Sequence, residues 1–229
     1  MESIWQYRQL LLEGTAVTVQ LALTALVLSV LLGLLGASAK LSNHPSARGV
    51  ANAYTTLVRG VPDLVLMMLL FYGGQQLIND LGAATEWWDY VEIDQFLAGA
   101  FSIGFVFGAY MTETFRGAIL AIPRGQLEAG IAVGMSRSTI FRRITWPQMV
   151  RYALPSFTNN WLVLVKATAL VSVIGLHDLV WNASTAGRSV REPFTFMFAV
   201  FVIYLVLTAI SDVGLRYLER RYNVGVRSH

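Results

Sequence analysis

Long apolar stretches broken by short polar ones are the dominant pattern along this chain. From Gly14 to Ala39 no charged residue occurs, and the stretch contains LALTALVLSVLLGLLG. Further apolar windows run over 64–78, 96–112, 152–176 and 194–211, with Lys166 the only charge inside the fourth. The second window is short, but Arg59 ahead of it can snorkel to an interface. The six prolines (Pro45, Pro62, Pro123, Pro147, Pro155 and Pro193) fall at or outside window ends, where helix termini tolerate them. No period-two alternation competes, so the pattern predicts five helices rather than strands. Helices of this length and apolarity span membranes, because a spanning segment must satisfy its own backbone.

Composition sharpens this reading. Of 229 residues, 55% are apolar and 14% charged, and none is cysteine; a soluble domain carries about 25% charged residues. Disorder, a secreted disulfide scaffold and a cysteine-based zinc site are excluded. The net charge of +3 matters less than its placement. Thirteen of the 17 lysines and arginines lie in the loops that contain residues 40–59, 116–151 and 216–227, against Arg8, Arg188 and Arg191 on the other side. The positive-inside rule then predicts a cytoplasmic C-terminus, a cytoplasmic 116–151 segment and a periplasmic N-terminus. The opposite loop, Asp80–Asp94, is acidic and carries Trp87, Trp88 and Tyr90, as an outer aromatic belt would. Residues 1–13 hold Glu2 and no basic cluster before the apolar run, so no cleavable signal peptide is expected. The segment IWQYRQLLL is instead expected to lie along the outer interface as a short amphipathic helix.

The cytoplasmic 116–151 segment is patterned rather than linker-like. Pro123 opens a helix, RGQLEAGIAV continues it and Gly134 ends it. Ser136 suits the N-cap of a second short helix, TIFRRITW, before Pro147. A helix–turn–helix between two spans is a docking surface. The five spans show no internal repeat of the kind most secondary carriers contain, and one five-helix chain is thin for enclosing a path alone, so an obligate partner is expected.

Glu128-Ala129-Gly130, three residues, Gly134, nine residues and Ile144-Thr145-Trp146-Pro147 resemble the EAA loop of ABC importer membrane subunits. Gly130 and Trp146 depart from the usual Ala and Leu, while Glu128, Gly134 and Pro147 are kept. Arg59-Gly60-Val61-Pro62, Gly108-Ala109-Tyr110, Ile122-Pro123 and the run Lys166–Gly175 are similar to polar amino-acid importers. Arg151–Pro155, Asn159-Asn160-Trp161, the tail Leu218–Tyr222 and Val224-Gly225-Val226 resemble the Q-type membrane subunit of histidine/arginine/lysine/ornithine importers. The resemblance covers nearly the whole chain.

It implies an all-α type I ABC importer permease fold with five transmembrane helices, forming a single permease domain in the bacterial inner membrane. The cargo implied is polar, basic amino acids, with histidine, arginine, ornithine, lysine and related opines left open. Implied partners are a second related permease, an ATP-binding cassette ATPase dimer and a periplasmic amino-acid-binding protein, besides membrane lipid and no nucleic acid. Glu128, Ala129, Gly130, Gly134 and Pro147 are the implied ATPase-coupling residues. No Gly-Lys pair occurs anywhere, so there is no Walker A loop. The chain is expected to be a transport subunit without catalytic residues, metal or cofactor, with ATP and Mg²⁺ used by the partner ATPase.

Lys166 and Glu113 are the substrate-path candidates. Lys166 lies near the midplane, where an ammonium costs about 2.5–3.5 kcal/mol unless it meets a partner or a wet cavity. It is read either as a pathway residue for the α-carboxylate or as an interhelical contact. Glu113 precedes Arg116 at i+3, so an ordinary helix-surface pair stands beside the pathway role. Asp63 and Asp212 read as helix-terminal or interfacial carboxylates, and Arg220 and Arg221 as contacts to anionic headgroups. The scattered histidines make a catalytic or metal role for His177-Asp178 a poor reading. Two rival functions are an ATP-independent channel or secondary carrier, which would not need the docking loop, and a membrane-embedded enzyme, which would need a cluster of ionisable groups at one depth.

Overall fold

The computed structural model describes residues 2–222, which are helical with connecting turns and no strand. Val224, Gly225, Val226, Arg227 and His229 lie outside the described residues. Helix α1 (Glu2–Gln6) is followed by α2 (Arg8–Lys40), α3 (Pro45–Gly60), α4 (Asp63–Met68), a π turn (Leu69–Gly73) and α5 (Gly74–Thr85). Then come α6 (Gln95–Leu120), α7 (Arg124–Ala132), α8 (Arg137–Ile140), a second π turn (Phe141–Thr145) and α9 (Trp146–Ala167). A 3₁₀ segment (Thr168–Ile174), α10 (Leu179–Ser189) and α11 (Pro193–Tyr222) complete the order. Five helical rods are long and apolar enough to cross a membrane: Arg8–Lys40, Asp63–Thr85, Gln95–Leu120, Arg137–Ile174 and Pro193–Tyr222.

The rods outrun the apolar windows because caps and packing, not hydropathy, end them. Asp94 caps α6 by accepting the Leu97 N–H at 2.8 Å, the geometry that satisfies a helix's free N-terminal donors. The N-terminal segment does not form one interfacial helix. Tyr7 leaves helical geometry (φ −97°, ψ 12°) and splits it. Arg8 onward belongs to the first rod, whose Leu11 is buried with Leu179 and Ala183 of α10. Pro155 also departs from expectation, since it sits inside α9. Ala153 and Leu154 are buried on one side of it, and Thr158 on the other donates to Glu219 at 2.8 Å, so packing carries the helix through the break.

The centre of the bundle is α6, with 67% of its most apolar window buried, against 6% for Asp63–Thr85 and 11% for Pro193–Tyr222. Its main neighbour is α2. Lipid offers no hydrophobic drive for that pairing, so close backbone approach must supply it. A Cβ at Gly33 would lie 2.5 Å from the Met111 Cβ, and one at Gly36 would strike the Thr112 hydroxyl. From the other side, Gly104 and Gly108 receive Leu28 and Leu32. The two barely buried rods lie at the edges of this core.

Candidate functional site

Two regions hold the residues singled out in the sequence. The first is a polar recess of about 500 Å³ lined by Arg59 from the end of α3, Tyr110, Glu113 and Thr114 from α6, and Pro155, Ser156, Asn159 and Asn160 from α9. Arg59 stacks over the Tyr110 ring at 5.5 Å, a favourable cation–π geometry. Asn160 donates to the Thr114 hydroxyl at 3.0 Å, which fixes α9 against α6. Ser156 and Asn159 remain exposed.

Glu113 lines this recess but its carboxylate is shared between two cations. One oxygen takes the Lys40 ammonium at the end of α2, and the other takes Arg116 at 2.8 Å. The i+3 pair is present as the spacing suggests, whereas Lys40, 73 positions away, was not visible as a partner. Only helix packing brings it there. Lys166 does not join Glu113. It follows Asn159 and Val163 along the same face of α9 at helical spacing, is exposed, and takes part in no ion pair among the described residues. Beyond it, Ala167 and Leu170 help line a second, narrow recess with Asp63, Met67, Ser102 and Val106. Asp63 opens α4 behind Pro62, and Asp212 pairs with Arg216 at 2.7 Å.

A stripe of Ser156, Asn159 and Lys166 within a rod apolar enough to span a membrane cannot be solvated by lipid. It requires water, a solute or another protein. Its amide, hydroxyl and ammonium groups, with the Arg59 guanidinium of the recess, can hydrogen-bond the charged ends of a zwitterion, and nothing in them supplies a nucleophile–base pair. Sequence reasoning passed over Ser156, Asn159 and Arg59, which line the recess. The signal was available, because polar residues at three- and seven-residue intervals within one apolar span mark a single wet face.

The second region is the loop between the third and fourth rods. Helix α7 closes on a Schellman turn: Gly134 sits at φ 76°, its N–H reaches Ile131 O at 2.9 Å, and the Met135 N–H reaches Gly130 O at 3.0 Å. That left-handed position strains any residue with a Cβ. Gly130 is buried, and a Cβ there would lie 3.0 Å from Ile144 and 3.2 Å from Ile140, so a small residue lets α7 seat on the next helix. Glu128, Ala129, Ile131 and Val133 point outward and are exposed. Ser136 caps α8 by accepting the Thr139 N–H at 3.3 Å. The helix it starts does not stop at Pro147. The π turn places the Trp146 N–H on Phe141 O, and the widened register carries the chain past the proline into α9. Pro147 therefore belongs to the fourth rod.

The chain has clear relatives among known proteins. Residues 12–224 match the family described as binding-protein-dependent transport system inner membrane component. The chain is 48% identical over 224 residues to the histidine/lysine/arginine/ornithine transport system permease protein HisQ of Escherichia coli K12, covering 98% of each. It is 39% identical over 223 residues to the octopine transport system permease protein OccQ of Rhizobium radiobacter, covering 97% of this chain and 93% of that one. A crystal structure of an amino acid ABC transporter with histidines superposes with a TM-score of 0.83 at 30% identity, covering 96% of this chain and 97% of that one.

Proposed function

From the premise that the chain belongs to the family of binding-protein-dependent transport system inner membrane components, and is a permease subunit of an ABC importer, we propose that it forms half of a pathway for basic amino acids. A second, related permease supplies the other half. The observation that carries this reading is the uncovered polar stripe of Ser156, Asn159 and Lys166 beside the recess at Arg59 and Glu113. Such a face is tolerable in a bilayer only against water or a matching chain. The cargo class rests on the relatives, named for histidine, lysine, arginine and ornithine transport and for octopine transport.

In this reading the C-terminus and the 116–151 loop face the cytoplasm, and the N-terminus faces the periplasm, where a binding protein delivers the amino acid. An ATPase dimer, which uses ATP and Mg²⁺, grips the outward side of α7 through Glu128 and Ala129. Gly130 and Gly134 set the fit and turn of that helix. Pro147 lies where the loop passes into the fourth rod, so nucleotide-driven movement enters α9 and rocks the stripe. Lys166 meets the α-carboxylate common to all candidate cargoes. Glu113, held by Lys40 and Arg116, sets the charge of the recess and leaves the cationic side chain to a carboxylate elsewhere in the assembly.

The test is reconstitution with both permeases, the ATPase and the binding protein in sealed vesicles, and a panel of amino acids. Basic amino acids should stimulate ATP hydrolysis and accumulate inside. Glu128→Lys or Gly134→Asp should insert normally yet separate hydrolysis from uptake. Full transport by either variant, or uptake that persists without ATP, would overturn the reading in favour of an autonomous channel or carrier.

A further inference from the structure

The loop carries a second chemistry that coupling to an ATPase does not use. Ser138, Thr139, Arg142 and Arg143 line a recess of about 280 Å³ on the side of the α8–π segment turned away from Ile140 and Ile144, which pack on Gly130 of α7. The lining is two guanidinium groups and two hydroxyls, with no carboxylate. No Asp or Glu occurs between Glu128 and Asp178 in the sequence, and neither arginine enters an ion pair among the described residues. The Thr139 hydroxyl shares a 2.8 Å hydrogen bond with the Ser136 hydroxyl, in which either can donate; with Ser136 donating, the Thr139 proton is left for a further acceptor. Forked guanidinium donors backed by hydroxyls suit the oxygens of a phosphodiester.

Next to this recess, Phe141 and Trp146 pack ring to ring at 6.1 Å and are 50% and 43% exposed. They stand where the fourth rod begins, and exposed aromatic rings at the end of a spanning helix settle at headgroup depth. We propose that Arg142, Arg143, Ser138 and Thr139 bind the phosphodiester of an anionic phospholipid, with Phe141 and Trp146 against its glycerol and upper acyl region. The lipid braces the base of α9 from the side opposite α7. The exposed ring pair favours a lipid over an acidic protein surface, because aromatic rings at the end of a spanning helix suit the headgroup–acyl boundary. This inference is independent of which amino acid is carried.

The assembled transporter, exchanged into mixed micelles of phosphatidylglycerol and phosphatidylethanolamine, is assayed for co-purifying lipid by mass spectrometry. Phosphatidylglycerol should be enriched over phosphatidylethanolamine in the wild type. The Arg142→Gln/Arg143→Gln variant should lower that enrichment by roughly thirtyfold, the worth of two basic side chains at an anionic surface. Arg142→Lys/Arg143→Lys should keep most of it, and Arg124→Gln, on exposed α7, should leave it unchanged. Equal retention by the glutamine variant would overturn the proposal. So would complete displacement by excess inorganic phosphate, which would mark a site for a soluble anion. Loss of the ATPase with lipid retention intact would make the recess a protein contact instead. Should the glutamine variant fail to assemble, the wild type decides: no preference for phosphatidylglycerol sinks the proposal.

Discussion

Asp178 offers the clearest quantitative test of how this chain is held together. Its carboxyl is fully buried ahead of α10, where one oxygen accepts the Trp181 N–H at 2.8 Å and the other has no hydrogen-bond partner among the described residues. Burial pushes its pKa up to about 6, against the pull of the Trp181 and Val180 backbone N–H groups. Thr18 and Tyr204 are hydroxyl neighbours, and neither brings a compensating cation. A rise from the ordinary aspartate value near 4 is worth roughly 3 kcal/mol. The folded state holds the proton more tightly than the unfolded one. The resulting stabilisation is therefore complete below about pH 4, declines as pH rises and is lost above about pH 6. Asp178→Asn preserves the acceptor for Trp181 and cannot ionise. Thermal unfolding of the purified protein in detergent should show the variant matching wild type near pH 4 and exceeding it by up to about 3 kcal/mol near pH 8. Asp178→Ala, which also cannot ionise but lacks the acceptor for Trp181, should lie about 1 kcal/mol below Asp178→Asn at either pH. Parallel curves for wild type and Asp178→Asn across that range would refute the argument, because the carboxylate would then be solvated or paired.

Two further outcomes follow from packing. Gly33→Leu should drive α2 from α6 by overpacking against Met111 and lower stability by about 1–3 kcal/mol, read as loss of the monodisperse peak after heating; Gly49→Ala, which meets open space in α3, should be neutral or slightly stabilising. Lys40→Met should cost about 1–3 kcal/mol by leaving Glu113 to Arg116 alone, and Glu113→Gln in the same background should cost little more. Additive losses in that double-mutant cycle would show the pair to be unlinked.

How far the amino-acid order announces this structure depends on the range of the interaction concerned. The five rods follow from runs of apolar residues, and the Ser136 cap and Gly134 turn follow from side chains acting within one turn of themselves. The fate of Pro155 and Pro147 was not legible. Whether a proline ends a helix depends on the contacts on either side of it, here Leu154 in the core and Thr158 on Glu219. Lys40 reaching Glu113 is likewise a product of helix–helix register. In the sequence Asp178 stands only as half of a discounted His177-Asp178 pair, since burial is a property of what surrounds it. Of the polar stripe, the spacing was there in Asn159 and Lys166, but its exposure emerged only when the edge helices proved to cover so little.

That second rod, Asp63–Thr85, with 6% of its most apolar window buried, also governs which mutations can be noticed. A substitution on its bare sides removes almost no contact from the isolated chain, so a stability screen of this polypeptide alone would score it as silent. The same change is registered only when another surface lies against it. Under the proposed pairing with a second permease, tolerance at these positions is written in that subunit's sequence as much as in this one.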